Sequence, residues 1–266
     1  MRLKVSVPTV SLHKDLRQAI ALAMQSGADG VQFDLRTEVV PRESGDSARR
    51  QLRHLLTERN LELASVHFPL RGPLTDRDRM DQRLAAIAEA INFASQIKVR
   101  TFTLRPGSIP PDGNPEREIL IQVLNELAAQ GDRLGVAISL IPSGDSAADL
   151  KQMLSQVTSG WISVDADLAE WVLNQQSCTS ELRELFGSIG HIEGRDAARG
   201  YSGSGREVPL GRGEIDWDEI VALLTEMDYV GWINVTRTTG QTIADDIVRG
   251  VKFLQERFTP GRHPNL

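Results

Sequence analysis

A closed α/β barrel, a single (β/α)8 TIM barrel, is the architecture this sequence predicts, and three observations predict it. Short β-rich runs alternate with amphipathic stretches eight times, at roughly 30-residue spacing, the size of one strand-and-crossover unit. The 266 residues suit one domain of that kind. Eight right-handed units either close into a barrel or form a doubly wound sheet, and no GxGxxG follows the first strand. The Gly203-Ser204-Gly205 run lies far downstream, so the dinucleotide-binding alternative is set aside. The barrel reading takes residues 1–258 as one domain and residues 259–266 as a C-terminal tail.

Each unit has its own signal. Strand 3–7 precedes a helix over 14–26, where Leu16, Ile20, Ala23 and Met24 recur at helical spacing. Strand 30–35 precedes helix 47–59, and strand 61–67 precedes helix 77–96 with its stripe of Leu84, Ile87, Ala88 and Ile91. Strand 99–104 leads to helix 116–130, strand 135–141 to helix 147–156, and strand 161–164 to helical segments within 168–186. Strand 188–192 leads through a long polar loop, residues 193–214, to helix 217–227, and strand 232–235 leads to helix 244–258. Gly27, Gly131 and Gly187 follow helical stretches, where a left-handed cap favours glycine.

Bulk composition narrows the function. A quarter of the residues are charged and 40% are hydrophobic, enough to bury a full core. The net charge of −6 argues against a nucleic-acid partner, which leans on a basic face. The single Cys178 excludes an internal disulfide and a cysteine-rich metal site. The first strand begins at Leu3 with no apolar leader, and no run of about 18 apolar residues exists, so a cytoplasmic protein with no membrane partner is expected. Asn234-Val235-Thr236 matches a glycosylation acceptor but sits inside an apolar strand. The four tryptophans suit packing between barrel and helices better than a stacking platform for bases.

In a barrel, the side chains that carry chemistry stand where strands end and the following loops begin. Those positions hold Asp34 and Arg36, His67, Arg105, Ser143, Asp165 and Asp167, His191 and Glu193, then Thr236 and Arg237. Strand alternation puts Asp165 with Asp167, and His191 with Glu193, on a shared face. Such a ring could coordinate a cation or hold a polyol. Other readings stay open. His67 could be a buried histidine bonded to a carbonyl, and Asp165 or Asp167 a helix cap. Arg105 and Arg237 read as anion clamps or as surface residues. Glu193, Arg195 and Asp196 read as solvated ion pairs in a loop, and Asp216 as the cap of the helix at Trp217.

Taken together, several segments resemble the xylose isomerase-like TIM-barrel superfamily, in particular its sugar phosphate isomerase/epimerase branch. They are Gly27-Ala28-Asp29-Gly30-Val31, Ser65-Val66-His67, Pro106-Gly107, Val164-Asp165 and the segment from Gly190-His191 to Asp196. Pro209-Leu210-Gly211-Arg212-Gly213 with Ile215-Asp216-Trp217, and residues 229–232, complete the set. The resemblance implies one divalent metal (Mn, Mg, Co or Zn) held by Glu, Asp, His and Glu from strands five to eight. Asp165 and His191 stand at two of those positions, whereas Ile141 and Thr236 stand where glutamates are expected. Other positions differ as well: Gln32 replaces an acid, and Arg105 and Leu168 replace histidines. Ile141 offers no lone pair and Thr236 only a neutral hydroxyl, so a metal is expected to be weakly bound or absent.

The functional expectation is therefore an isomerase or epimerase of a small carbohydrate or sugar phosphate, working by proton transfer in an eroded site. His67, Asp165 and His191 are the expected catalytic groups, with Asp165 and His191 as metal ligands. Asp34, Arg36, Arg105 and Arg237 are the expected substrate contacts, the arginines through a phosphate or carboxylate. Asp167, Glu193 or Asp196 could rebuild the metal site. The alternative is a barrel that has lost its chemistry and serves as a small-molecule-binding or protein-interaction module. The AP-endonuclease-like branch needs a His- and Glu-rich multi-metal site, which five histidines and a net charge of −6 argue against. A homo-oligomer remains open, and the 193–214 loop reads equally as a lid, a partner contact or a passive excursion.

Overall fold

Alternating hydrophobic runs become strands because successive side chains face opposite sides, one toward the barrel axis and one toward the helices. The computed structural model describes residues 3–200 and 205–258; the tail expected at 259–266 lies outside them. The barrel strands are β1 (Lys4–Pro8), β2 (Gly30–Asp34), β3 (Glu62–His67), β4 (Thr101–Leu104), β5 (Ala137–Leu140), β6 (Ile162–Asp167), β7 (Ile189–Gly194) and β10 (Trp232–Val235). They close in the order β1-β10-β7-β6-β5-β4-β3-β2, and β1 pairs with β10 in parallel, Lys4 opposite Trp232. The predicted (β/α)8 barrel is therefore the observed one.

The helices are α1 (Leu16–Ser26), α2 (Asp46–Thr57), α3 (Met80–Gln96), α4 (Pro115–Leu134), α5 (Ala147–Ser155), α6 (Leu168–Leu173), α7 (Cys178–Glu184), α8 (Trp217–Glu226) and α9 (Ile243–Phe258). Side-chain oxygens of Asp15, Asn114, Ser146, Ser177 and Asp216 accept from backbone N–H groups in the first turns of α1, α4, α5, α7 and α8. Gly27 caps α1 in the left-handed conformation, as expected. Gly131 does not cap: α4 runs on to Leu134 and ends at Gly135. Gly131 is needed instead for close packing, since a Cβ there would lie 2.5 Å from the Val136 carbonyl oxygen. No helix among the described residues is long and apolar enough to cross a membrane.

Two features position the site. The barrel interior carries a hydrogen-bonded polar belt in place of the usual branched aliphatic layers. Ser6 Oγ donates to Asn234 Oδ1 (3.1 Å), Asn234 Nδ2 to Gln32 Oε1 (3.1 Å), and Gln32 Nε2 to Ser65 Oγ (2.9 Å). Ser163 and Ser139 pair at 3.0 Å across β6 and β5. The second feature follows β7. Residues 193–214, read as a loop, hold a short antiparallel hairpin of β8 (Asp196–Ala198) and β9 (Arg206–Val208), with 201–204 outside the described residues.

Candidate active site

The strands deliver their polar ends to one mouth, where a cavity of about 340 Å³ opens. Its lining includes Gln32, His67, Arg105, Ile141, Asp167, Glu193, Arg195 and Thr236. Ile141 and Thr236 thus face the same space as the acidic residues of β6 and β7, one residue beyond the ends of β5 and β10.

The β6–β7 pair supplies most of the charge. A register shift between Val164 and Asp165 sets Asp165 opposite His191 and Asp167 opposite Glu193. Asp165 and His191 are wholly buried and do not line the cavity; His191 Nδ1 lies 2.9 Å from Asp165 Oδ1. Asp165 Oδ2 and His191 Nε2 are buried without a partner. One ligand atom each from Asp165, His191 and Glu193 lies within 4.8 Å of the others. Of the three residues offered as replacement ligands, only Glu193 joins that cluster.

Asp167 is committed elsewhere. Its Oδ2 accepts from Arg195 NH1 (2.6 Å) and Arg105 NH2 (3.0 Å), and its Oδ1 from Glu170 N at the start of α6. The helix-cap reading therefore holds for Asp167, with two guanidiniums added. Arg105 also donates to the Pro142 carbonyl. Arg195 continues to Glu207 Oε1 (3.1 Å) and Thr238 Oγ1 (3.2 Å), tying β7, the hairpin and the loop after β10 together. Asp196 is a clasp: its carboxylate accepts from Gly211 N, Gly213 N, Ala197 N and Trp217 Nε1 at 2.9–3.2 Å. A Cβ on Gly213 would sit 1.9 Å from Asp196 Oδ1, so the Pro-Leu-Gly-Arg-Gly segment is shaped by this clasp.

Glu193, Arg195 and Asp196 correct the expectation of solvated loop pairs. They are 6%, 8% and 1% exposed, because β7 extends through Gly194 and the hairpin follows at once. Burial, with the negative charges of Asp165 and Asp167, holds the Glu193 carboxyl well above the ordinary glutamate range. Burial alone would lower Arg195, but Asp167 and Glu207 outweigh it and raise its pKa. Burial lowers His67, leaving a neutral imidazole whose Nδ1 lies 3.0 Å from Thr103 Oγ1.

The expected substrate contacts divide. Arg105 lines the cavity; Asp34, Arg36 and Arg237 do not. Asp34 Oδ1 accepts from the backbone N of Arg36 (2.7 Å) and Thr37 (2.8 Å), shaping the turn after β2. Arg36 donates to the Pro69 carbonyl and stacks 4.6 Å from the Phe68 ring centroid. Arg237 pairs with Asp246 (3.3 Å) and Glu207 (3.6 Å). Sequence reasoning passed over Asn234, which reaches Glu193 at 3.4 Å, and Glu207; for Asn234 the signal was its place in a strand that alternates inward.

The xylose isomerase-like TIM-barrel family model matches residues 20–257. No match was found among curated protein sequences. Solved structures resemble the chain over nearly its full length. A xylose isomerase domain protein from Planctomyces limnophilus superposes with a TM-score of 0.82 at 19% identity, covering 96% of this chain and 95% of its own. A D-tagatose 3-epimerase-like protein gives 0.79 at 18%, covering 96% and 97%. A xylose isomerase-like TIM-barrel protein from Mycobacterium smegmatis, in complex with magnesium, gives 0.77 at 14%, covering 97% and 96%.

Proposed function

The chain belongs to the xylose isomerase-like TIM-barrel family, and from that premise we propose that it isomerises or epimerises a small carbohydrate or sugar phosphate by proton transfer at the barrel mouth. The observation that carries this reading is that His67 and Glu193 line one cavity, the imidazole with its pKa lowered by burial and the carboxyl with its pKa raised by burial and by Asp165 and Asp167. A neutral imidazole is a base and a protonated carboxyl is an acid, which is the pairing an enolisation needs. His67 takes the proton from the carbon beside a substrate carbonyl, and Glu193 gives one to the carbonyl oxygen. For isomerisation, His67 returns its proton to the neighbouring carbon while Glu193 recovers one from the other enediol hydroxyl. For epimerisation, Glu193 recovers the proton it gave, water protonates the carbon on the opposite face, and His67 releases its proton to solvent. Asp165 and His191 act from beneath, Asp165 by keeping Glu193 protonated. Arg105 and Arg195, oriented by Asp167, stabilise negative charge developing on oxygen.

The donor set also fits a divalent ion in part. Asp165, His191 and Glu193 would hold it, and two orphaned buried atoms suit that role. Such an ion would supply positive charge that polarises the substrate's oxygens. Ile141 and Thr236 add no anionic oxygen at the flanks, so the site is eroded relative to a four-ligand one and binds the ion weakly.

The test is solvent-deuterium incorporation into a panel of ketoses, aldoses and their phosphates, on chelator-treated and metal-reloaded protein. Incorporation that the native chain supports and His67→Asn abolishes is the expected result. Absence of exchange and of product across the panel, with and without metal, rejects it. One observation favours a binding module instead: Arg105 and Arg195 are both closed onto Asp167 by the protein itself. A ligand-dependent rise in melting temperature without exchange would select that second reading.

A further inference from the structure

The ion pairs around the mouth join into one alternating chain. Arg105 pairs with Asp167 (3.0 Å), Asp167 with Arg195 (2.6 Å), and Arg195 with Glu207 (3.1 Å). Glu207 then pairs with Arg237 (3.6 Å), Arg237 with Asp246 (3.3 Å), and Asp246 with Arg249. Every interior member stands between two groups of opposite sign. The two ends do not. Arg249 ends the chain with a side chain 64% exposed, where water screens it. Arg105 ends it at the cavity wall, 37% exposed, and among the described residues Asp167 is the one carboxylate that pairs with it. Four guanidiniums against three carboxylates leave one positive charge over. The alternation therefore breaks off at Arg105, at the cavity where a ligand would stand.

Resting on the isomerase or epimerase reading of this mouth, we propose that the substrate is a sugar acid without phosphate, whose single carboxylate continues the chain at Arg105. A planar carboxylate matches the edge of a guanidinium, and one negative charge matches the one left over. A phosphate ester carries about −1.5 to −2 at pH 7 and is ordinarily met by lysine or by an open helix N-terminus. Among the described residues no lysine lines the cavity. The helices that follow β6, β7 and β10 have acids of the protein itself in or at their first turns. These are Asp167 and Glu170 at α6, Asp216, Asp218 and Glu219 at α8, and Asp245 and Asp246 at α9. The wall across the barrel offers nothing to a second charge. In the closed strand order β3 lies four strands from β7, and β2 lies four from β6. Besides His67, the lining from β1 to β3 and the turns after them is Pro8, Val10, Ser11, Gln32, Pro69 and Leu70, none of them ionisable. That wall takes the C–H and hydroxyl face of the sugar while Arg105 takes its acid end. Arg195, fixed by Asp167, Glu207 and Thr238, stays the cation for the reacting oxygen.

Three matched sets of compounds decide the matter: sugar acids (hexuronates and keto-aldonates), the neutral hexoses with an alcohol in place of the acid, and hexose phosphates. Each is measured for binding by titration calorimetry and for solvent-deuterium exchange. A sugar acid is expected to bind about 100-fold more tightly than its neutral or phosphorylated counterpart. Arg105→Gln should lower kcat/KM for the acid about 100-fold and for the neutral sugar far less, so that the preference disappears. Far-UV circular dichroism reports whether the variant is folded. Should it misfold, Arg105→Lys, which keeps the charge and loses the fork, repeats the test with an about tenfold loss of preference. A neutral hexose or a hexose phosphate that binds or exchanges as well as the acids overturns the inference and leaves the isomerase reading standing. Binding of an acid that depends on Arg105, with no exchange in any set, upholds the inference and removes that reading. Sugar acids that neither bind nor exchange overturn it.

Discussion

Around the mouth, the β6–β7 pair and the strands flanking it differ sharply in chemistry. The central pair brings Asp165, Asp167, His191 and Glu193 into or beneath one cavity, with Arg195 following; the flanks, β5 and β10, are followed by Ile141 and Thr236. Charge is thus concentrated on two adjacent strands and largely answered within the protein. Asp167 has two guanidiniums, and Asp165 has the His191 imidazole. Among the described residues no cation pairs with the Glu193 carboxyl, and burial with its acidic neighbours raises its pKa well above the ordinary range. What faces a ligand is a carboxyl with a raised pKa, an imidazole with a lowered one and a pair of arginines already held in place. A flank without carboxylates adds no anionic oxygen to the cluster of Asp165, His191 and Glu193.

The largest effect is expected from giving the flanks what the centre has. Ile141→Glu with Thr236→Glu adds two anionic oxygens beside Asp165, His191 and Glu193. Affinity for Mn²⁺ should rise by about 100-fold, and the melting temperature should become metal-dependent. Titration calorimetry and melting curves measure both. Unchanged Mn²⁺ affinity would mean that the two positions do not face the cluster.

Removing central and flank groups one at a time should give unequal losses. Asp165→Ala leaves His191 Nδ1 buried without its acceptor and opens a small void, at a cost of about 2–4 kcal/mol. Thr236→Ala removes a hydroxyl at the cavity edge and should stay within about 0.5 kcal/mol. Urea unfolding monitored by tryptophan fluorescence compares them. Equal losses would refute the view that only the central pair is internally balanced.

Glu193 makes the same contrast in pH. Its folded pKa is raised above its unfolded value, so the stability it contributes is full below the ordinary glutamate range and is lost as pH rises through the folded value. Glu193→Gln removes that decline. The variant should melt above the native protein at alkaline pH and beside it in mild acid. A native curve already flat over that window would show Glu193 ionised throughout.

The fold was legible because barrel strands and crossover helices each carry a local signal: β-rich runs, helical stripes, and a cap such as Asp216. The polar strand ends were legible as a set, and Ile141 and Thr236 face the expected cavity. Which polar residue bonds which was not legible, because those partners are set by tertiary closure. Arg36 and Arg237 look identical in sequence to an anion clamp, yet Pro69, Asp246 and Glu207 claim them from 33, 9 and 30 residues away. Arg195 and Asp196 read as loop charges because the hairpin that buries them has strands of only three residues. Asn234 was masked by a chance glycosylation triplet.

A smaller pH effect checks that the Glu193 result belongs to the mouth. Glu38, in the segment after β2, lies outside the cavity, accepts from Thr9 Oγ1 at 2.6 Å, and has Oε1 buried without a partner. Burial pushes its carboxyl up from 4.5 to about 7. The sign is that of Glu193: stability is full below pH 4.5 and is lost as pH rises through about 7. Glu38→Gln should therefore stabilise the chain by about 1–2 kcal/mol at pH 8, discounted for partial exposure, and by little at pH 5. The two carboxyls share no hydrogen-bond partner, so the gains of Glu38→Gln and Glu193→Gln should add in the double variant to within about 0.5 kcal/mol. Melting curves from pH 5 to 9 on the four proteins measure this. A clear departure from additivity would mean that ionisation at the β2 loop reaches the mouth, and the pH slope would then no longer belong to the central strands alone.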